Sequence, residues 1–265
     1  MNPYYSPVKR FLSLIFVIGL TVSSYGQFSA PLSDGSNTGA ELDKSTWIEI
    51  KSERKIHSST YITEAGKTIV HCSKQPLNYY NEAENLVPVV LNFKKNHIGF
   101  SCNSQPTKIS VFSNGSIEFI GTEGQTLNYS RNTKVNGTNV QFTQLKKEKD
   151  GLIASSNIQG LEKTFSVMFN SLKYNYVLNN AISYSGPNFV IEEELFLPQG
   201  SKIIKDPIIG KEDDLGWVGP LLIKDVNNKE LGSLGGVMCY DANQDYVLAG
   251  YEIIENNGKK RIKIN

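Results

Sequence analysis

Apolar side chains in this chain recur at every second position, in short runs. Ile48 and Ile50 share one parity, as do Ile98, Phe100 and Cys102, then Ile109 and Val111, Ile117 and Phe119, and Val140 and Phe142. The alternation continues through Phe165, Val167 and Phe169 and through Tyr174, Tyr176 and Leu178. Successive side chains of an extended strand point to opposite faces, so a period of two marks strands with one buried face. No stretch of twelve or more residues combines helical periodicity with caps. The pattern predicts an all-β protein built as one or more antiparallel β-sandwiches.

Turn chemistry falls between the runs. Asn114-Gly115, Asn136-Gly137 and Asn257-Gly258 each sit between strand-like segments. Asn-Gly accepts the positive φ values that a two-residue type I′ hairpin demands, so all three are read as such hairpins. Ser185-Gly186-Pro187-Asn188 turns into a long strand from Phe189 to Leu197, and Asp225 to Lys229 makes another turn. Val237, Cys239, Tyr246 and Leu248 mark the next pair, and a last hairpin joins Tyr251–Glu255 to Arg261–Ile264.

The N-terminus has a different character. Lys9 and Arg10 precede an apolar run from Phe11 to Val22, and Ser24-Tyr25-Gly26 places small residues where a signal peptidase reads them. The run of about twelve apolar residues is shorter than the roughly 20 that span a bilayer. Residues 1–26 are read as a cleaved signal peptide and 27–46, rich in Ser, Asp, Gly, Asn and Thr, as a flexible leader. The charged, glycine-bounded stretch Lys146 to Gly151 then divides a first β-rich domain, 47–150, from a second, 151–265. This implies export, with the membrane met only through the signal. The destination is the outside or outer-membrane surface, or the periplasm if no sorting domain follows.

Charge bears on partners. Lys9 and Arg10 are the only charged residues of the signal, so its removal leaves 25 cations against 26 anions. A polyanion binder shows a basic excess, so nucleic acid is not an expected partner. P-loop and Gly-x-Gly-x-x-Gly signatures are missing, no cofactor is implied, and no Gly-x-Ser-x-Gly elbow or Cys/His nucleophile motif occurs. His57, His71 and His97 fit no metal spacing and are read as exposed strand residues.

Four groups of residues are candidate sites. Cys72 and Cys102 each close a strand, and a disulfide between them is conceivable; the alternative is three small buried hydrophobes including Cys239. Asp241, Asn243, Asp245 and Glu252 stand at positions one, three, five and twelve of a calcium-loop imitation, against which Tyr246 occupies the sixth position where the turn wants Gly. The rival is a plain hairpin between Tyr240 and Tyr246. Glu193 shares the parity of Phe189, Ile191, Leu195 and Leu197, which aims a carboxylate at the core. It either meets a Lys or Arg from a neighbouring strand, escapes through a bulge, or serves as one acid of the pair that glycoside hydrolysis requires. Finally, Tyr79, Tyr80, Tyr174, Tyr176, Tyr184, Tyr240, Tyr246 and Tyr251 either pack the core or form an exposed row for contact with a glycan or a protein.

Gly160-Leu161-Glu162, followed by Leu172-Lys173-Tyr174-Asn175-Tyr176-Val177-Leu178 and lying behind an export signal, resembles the N-terminal β-rich module of large secreted proteins of Bacteroidetes. There a Gly-Ile-Asp segment precedes a Lys-Thr-Asn-Tyr-Val-Ile strand, and here Tyr174 stands for the Thr. Val190 to Leu195, the turn at Asp225 to Lys229 and the hairpin Tyr251 to Ile264 extend the similarity over roughly residues 45–265. The resemblance carries no catalytic residues and leaves two options, a fragment of a longer surface protein or a short periplasmic form; the role expected of the chain is structural, adhesive or ligand-binding. The expectation is therefore a non-catalytic exported module, with a secreted glycan-acting hydrolase as the alternative.

Overall fold

The computed structural model describes residues 45–149, 151–179, 189–240, 245–256 and 258–265. The signal peptide, most of the leader, the turn at Ser185–Asn188 with Tyr184, and Asn257 lie outside the described residues. Among those described the chain is all-β, with every strand pairing antiparallel and a single 3-10 turn at Lys51–Glu53.

An 11-stranded sheet forms the backbone of the molecule. Its centre runs in the order Lys259–Ile264, Ile191–Phe196, Thr126–Val135, Ile117–Ile120, Lys108–Phe112 and Gly99–Cys102. A four-stranded sheet, Phe142–Glu148, Gly151–Ser156, Leu161–Met168 and Ser171–Leu178, supplies the second layer. The layers meet face to face: Tyr129 of the large sheet and Tyr174 of the small one have ring centroids 5.6 Å apart. This is the sandwich that the alternation called for. Three-stranded sheets at Ile48–Cys72 and Lys202–Leu234, and the hairpins Asn78–Pro88 and Val237–Ala249, complete the fold.

The division at residue 150 does not separate two sandwiches. Thr126–Val135, from the first half, pairs with Ile191–Phe196, from the second, and one core cluster holds Ile109 and Phe119 together with Phe165 and Ile262. Glu148 and Gly151 are register partners in a hairpin inside the small sheet. Gly151 is there because strands crowd: a Cβ on it would lie 2.0 Å from the Phe165 carbonyl oxygen. What reads as a polar linker is a solvent-facing hairpin strand, with Lys146, Lys147 and Glu148 exposed and Phe142 buried.

The Asn-Gly turns divide by geometry. At Asn136-Gly137 both residues have positive φ, 49° and 78°, and Val135 pairs with Thr138, as a two-residue type I′ hairpin requires. At Asn114-Gly115 only Gly115 is left-handed. There the Gly115 amide donates to the Phe112 carbonyl and the Phe112 amide to the Ser116 carbonyl, which makes a type I turn with a bulge. The Asn114 side chain accepts from the Ser116 amide, so it stabilises the turn from the side instead of taking a positive φ. The same pair of backbone bonds closes Thr63–Lys67, Asn81–Asn85, Gly121–Gln125 and Asp225–Lys229.

Candidate functional site

Glu193 lies where its parity aims it, inside the sandwich and 0% exposed, with Ile191 and Leu195 buried beside it. No bulge carries it outward; the bulge is in the adjoining strand. Tyr129 pairs with Leu195 and Thr133 with Glu193, so one strand inserts extra residues between partners two apart on the other. Ser130 takes φ +58° at this bulge, and it is buried along with its neighbour Tyr129. Its hydroxyl donates to Glu193 Oε1 over 2.6 Å.

The facing sheet supplies the rest. Lys163 shares the parity of Leu161 and Phe165 and is itself 0% exposed. Its Nζ donates to Glu193 Oε1 at 2.9 Å and to Ser130 Oγ at 2.5 Å. Tyr176, the register partner of Lys163, donates its hydroxyl to Glu193 Oε1, and Tyr174 donates to Oε2. The ammonium sits 4.2 Å from the Tyr174 ring centroid and 4.9 Å from that of Tyr176, against the negative faces of both rings.

Burial alone would raise the Glu193 carboxyl, but the Lys163 charge and the hydroxyls of Ser130, Tyr174 and Tyr176 outweigh it and hold the group below its ordinary range. Burial pushes the Lys163 ammonium down, and Glu193 restores part of the loss. Burial, and then the charge of Glu193, push the Tyr174 and Tyr176 phenols well up. The outcome is a carboxylate fully occupied by donors and closed to solvent. Among the described residues no second carboxylate shares this chamber. Glu194 points to the opposite face, where Asn132 donates to it and Lys259 lies 3.7 Å away. The two-acid arrangement of a glycosidase is not assembled around Glu193.

The partner of Glu193 comes from the facing layer and not from an adjacent strand. Lys163 was visible in the sequence as a lysine at a core parity, a signal as strong as that of Glu193 itself.

Asp241 and Asn243 of the calcium-loop imitation lie outside the described residues. Glu252, its twelfth position, belongs to the strand Tyr251–Asn256 and is bound by Lys263 Nζ at 2.8 Å. That hydrogen bond lowers its carboxyl. Asp245 falls just before the strand Tyr246–Ala249, and the described residues contain no cluster of three or more His, Cys, Asp or Glu able to hold a metal. Cys72 and Cys102 do not pair: Cys72 is exposed on the N-terminal three-stranded sheet, while Cys102 is buried in the large sheet with its thiol directed to the Val90 carbonyl at 3.4 Å. Cys239 is also free.

The tyrosines split. Tyr174, Tyr176 and Tyr251 are core, Tyr79 and Tyr240 are half-buried, and Tyr80 and Tyr246 are exposed. Tyr79 and Tyr80 ride on the hairpin strand Asn78–Tyr80, anchored by buried Asn78, whose Nδ2 donates to the Lys55 and Ser58 carbonyls at 2.8 and 3.1 Å. Two open clefts meet at Tyr80. One, about 610 Å³, is lined by Lys55, His57 and Cys72. The other, about 700 Å³, runs between Tyr79 and Tyr80 on one side and Ile120 to Gly124 on the other, with Asn103, Gln105 and Lys108 also lining it. Gln105 is 1% exposed; its Oε1 accepts from the Asn170 amide at 2.8 Å, and Asn170 Oδ1 accepts from the Thr107 amide at 3.1 Å. This reciprocal clamp fixes the loop after Cys102, yet the Gln105 Nε2 donor has no acceptor among the described residues. Neither Gln105 nor the cleft carries a sequence signal, because the loop and the hairpin converge only in the folded chain.

No family model matches the chain, and comparison with curated proteins and with solved structures found no match.

Proposed function

We propose that this chain is an exported, non-catalytic β-rich module of a secreted or surface protein, whose role is to bind a ligand through its exposed face. The observation that carries the reading is the contrast between its two polar centres. The centre with catalytic residue types, Lys163 and Glu193, is neutralised internally and closed to solvent. Tyr80, by contrast, is open to solvent where two clefts meet, with Tyr79, Asn103 and Lys108 lining one of them and Lys55 and His57 the other. The sequence signals favouring export are the Lys9-Arg10 pair, the Phe11–Val22 run and the small residues before Gln27.

The test is expression of the full chain in a Gram-negative host, followed by fractionation, N-terminal mass analysis and assay of the purified protein on a panel of polysaccharides. The expected result is a polypeptide starting at Gln27 outside the cytoplasm, with no release of reducing ends. Retention in the cytosol with residues 1–26 intact would overturn export, and turnover of any polysaccharide would overturn the non-catalytic reading.

A further inference from the structure

Resting on that reading, we infer that the cleft between the Tyr79–Tyr80 hairpin strand and the Gly121–Gly124 turn is a binding site for a neutral oligosaccharide.

Three observations converge on that ligand class. The first is an aromatic platform: Tyr80 is 63% exposed at the cleft rim, and Tyr79 stands beside it half-buried. The C–H face of a pyranose is apolar and covers such a ring while its equatorial hydroxyls stay in reach of polar side chains. Tyrosine suits this because it offers a flat apolar body with a polar tip. The second is the Gln105 amide. Gln105 lines the cleft, and among the described residues its Nε2 is a buried donor left without an acceptor, a state that costs free energy and that a ligand hydroxyl reaching it would relieve. Its Oε1 is already committed to Asn170, so the side chain is held in place before any ligand arrives.

The third observation is charge. Glu82 and Lys108 both line the cleft and pair at 2.5 Å, from the Asn78–Pro88 hairpin to the strand Lys108–Phe112. A carboxylate and an ammonium side by side offer acceptors and donors to neighbouring hydroxyls while adding no net charge. An anionic polymer would gain nothing from Lys108 that Glu82 does not cancel. The cleft is also open and mixed in polarity, which suits a solvated sugar chain better than a compact apolar ligand.

The experiment is titration calorimetry of the mature chain, residues 27–265, against neutral oligosaccharides (gluco-, xylo-, manno- and chito-series), uronate oligosaccharides, and a mixed peptide library. The variants are Tyr80→Ala and Gln105→Glu, the latter keeping the acceptor that Asn170 needs while removing the free donor. The expected result is saturable binding of at least one neutral series, weakened about tenfold or more by each variant, a loss of ~1.4 kcal/mol. Circular dichroism should show both variants folded. Should either unfold, Lys108→Met at the half-exposed rim takes its place. Failure of every neutral series, or neutral binding indifferent to the variants, overturns the inference. Binding of uronates or peptides alone also overturns it, and leaves the surface-binding reading standing; silence from every probe counts against both.

Discussion

Lys163 Nζ lies 2.9 Å from Glu193 Oε1 across the two layers of the sandwich, with both side chains fully buried. A buried pair of this kind contributes little net stability over apolar residues of the same shape, but breaking it by halves is costly because a charge is left alone. Lys163→Met is expected to destabilise the chain by ~3–5 kcal/mol. Adding Glu193→Gln removes the stranded charge, keeps an acceptor for one of Tyr174 and Tyr176 and offers an N–H donor to the other's phenol oxygen, so the double variant should be more stable than Lys163→Met alone. Urea denaturation of the two variants measures this coupling. A loss below ~1 kcal/mol for Lys163→Met would show that the pair does not hold the layers together.

The tyrosines around that pair set the alkaline limit of the fold. Burial, and then the Glu193 charge, hold Tyr129, Tyr174, Tyr176 and Tyr251 well above the usual phenol range. In the unfolded chain the same phenols lose protons near pH ~10. Above that pH the unfolded state binds fewer protons than the folded one, and stability falls as pH rises. Lys163, lowered by burial, acts in the opposite sense below its ordinary value, but it is one group against four. In acid the sign reverses through Glu193, whose depressed carboxyl gives stability present above pH ~4.3 and lost as pH falls through its folded value. Phenolate absorbance followed with circular dichroism should show the four buried rings ionising only as the β signal collapses. Their smooth ionisation in a folded chain would contradict the burial.

The strand pattern was legible because burial of one face leaves a local record, every second residue. Glu193 was legible for the same reason: no other feature sets it apart from Glu192 or Glu194. Its surroundings were not. Which strand faces which is settled by pairings between residues more than fifty apart, such as Thr133 with Glu193, and alternation does not encode them. The bulge at Ser130 was also silent, since Tyr129-Ser130-Arg131-Asn132 contains no glycine to announce a left-handed residue. The supposed boundary at Gly151 failed for a related reason. A glycine needed for close packing and one needed for a flexible linker are the same letter.

Gly151 therefore gives a direct comparison. At Gly137, φ is +78° and an added Cβ meets nothing within 4 Å, so Gly137→Ala should cost only the left-handed backbone penalty, ~1–2 kcal/mol. At Gly151 the added Cβ meets the Phe165 carbonyl oxygen at 2.0 Å, in a strand paired on both sides. Gly151→Ala must push apart the hairpin strand and Leu161–Met168, and its thermal midpoint should fall well below that of Gly137→Ala. Equal midpoints would mean that this end of the hairpin yields freely, as a linker would.

Thiol chemistry separates the three cysteines. Thiolate is the reactive form, and reagent must also reach it. Burial pushes the Cys239 thiol up to about 11 and raises Cys102, whereas Cys72 is exposed at the end of its strand. A chain purified without reductant should release one equivalent rapidly to an aromatic disulfide reagent in the native state. It should release three after denaturation, one for each of Cys72, Cys102 and Cys239. Cys72→Ser should abolish the rapid phase and leave stability nearly unchanged, because the side chain it alters faces solvent. A denatured count of one would instead establish a bridge between two of the three, and would require cysteines of two sheets that are separate in this fold to meet.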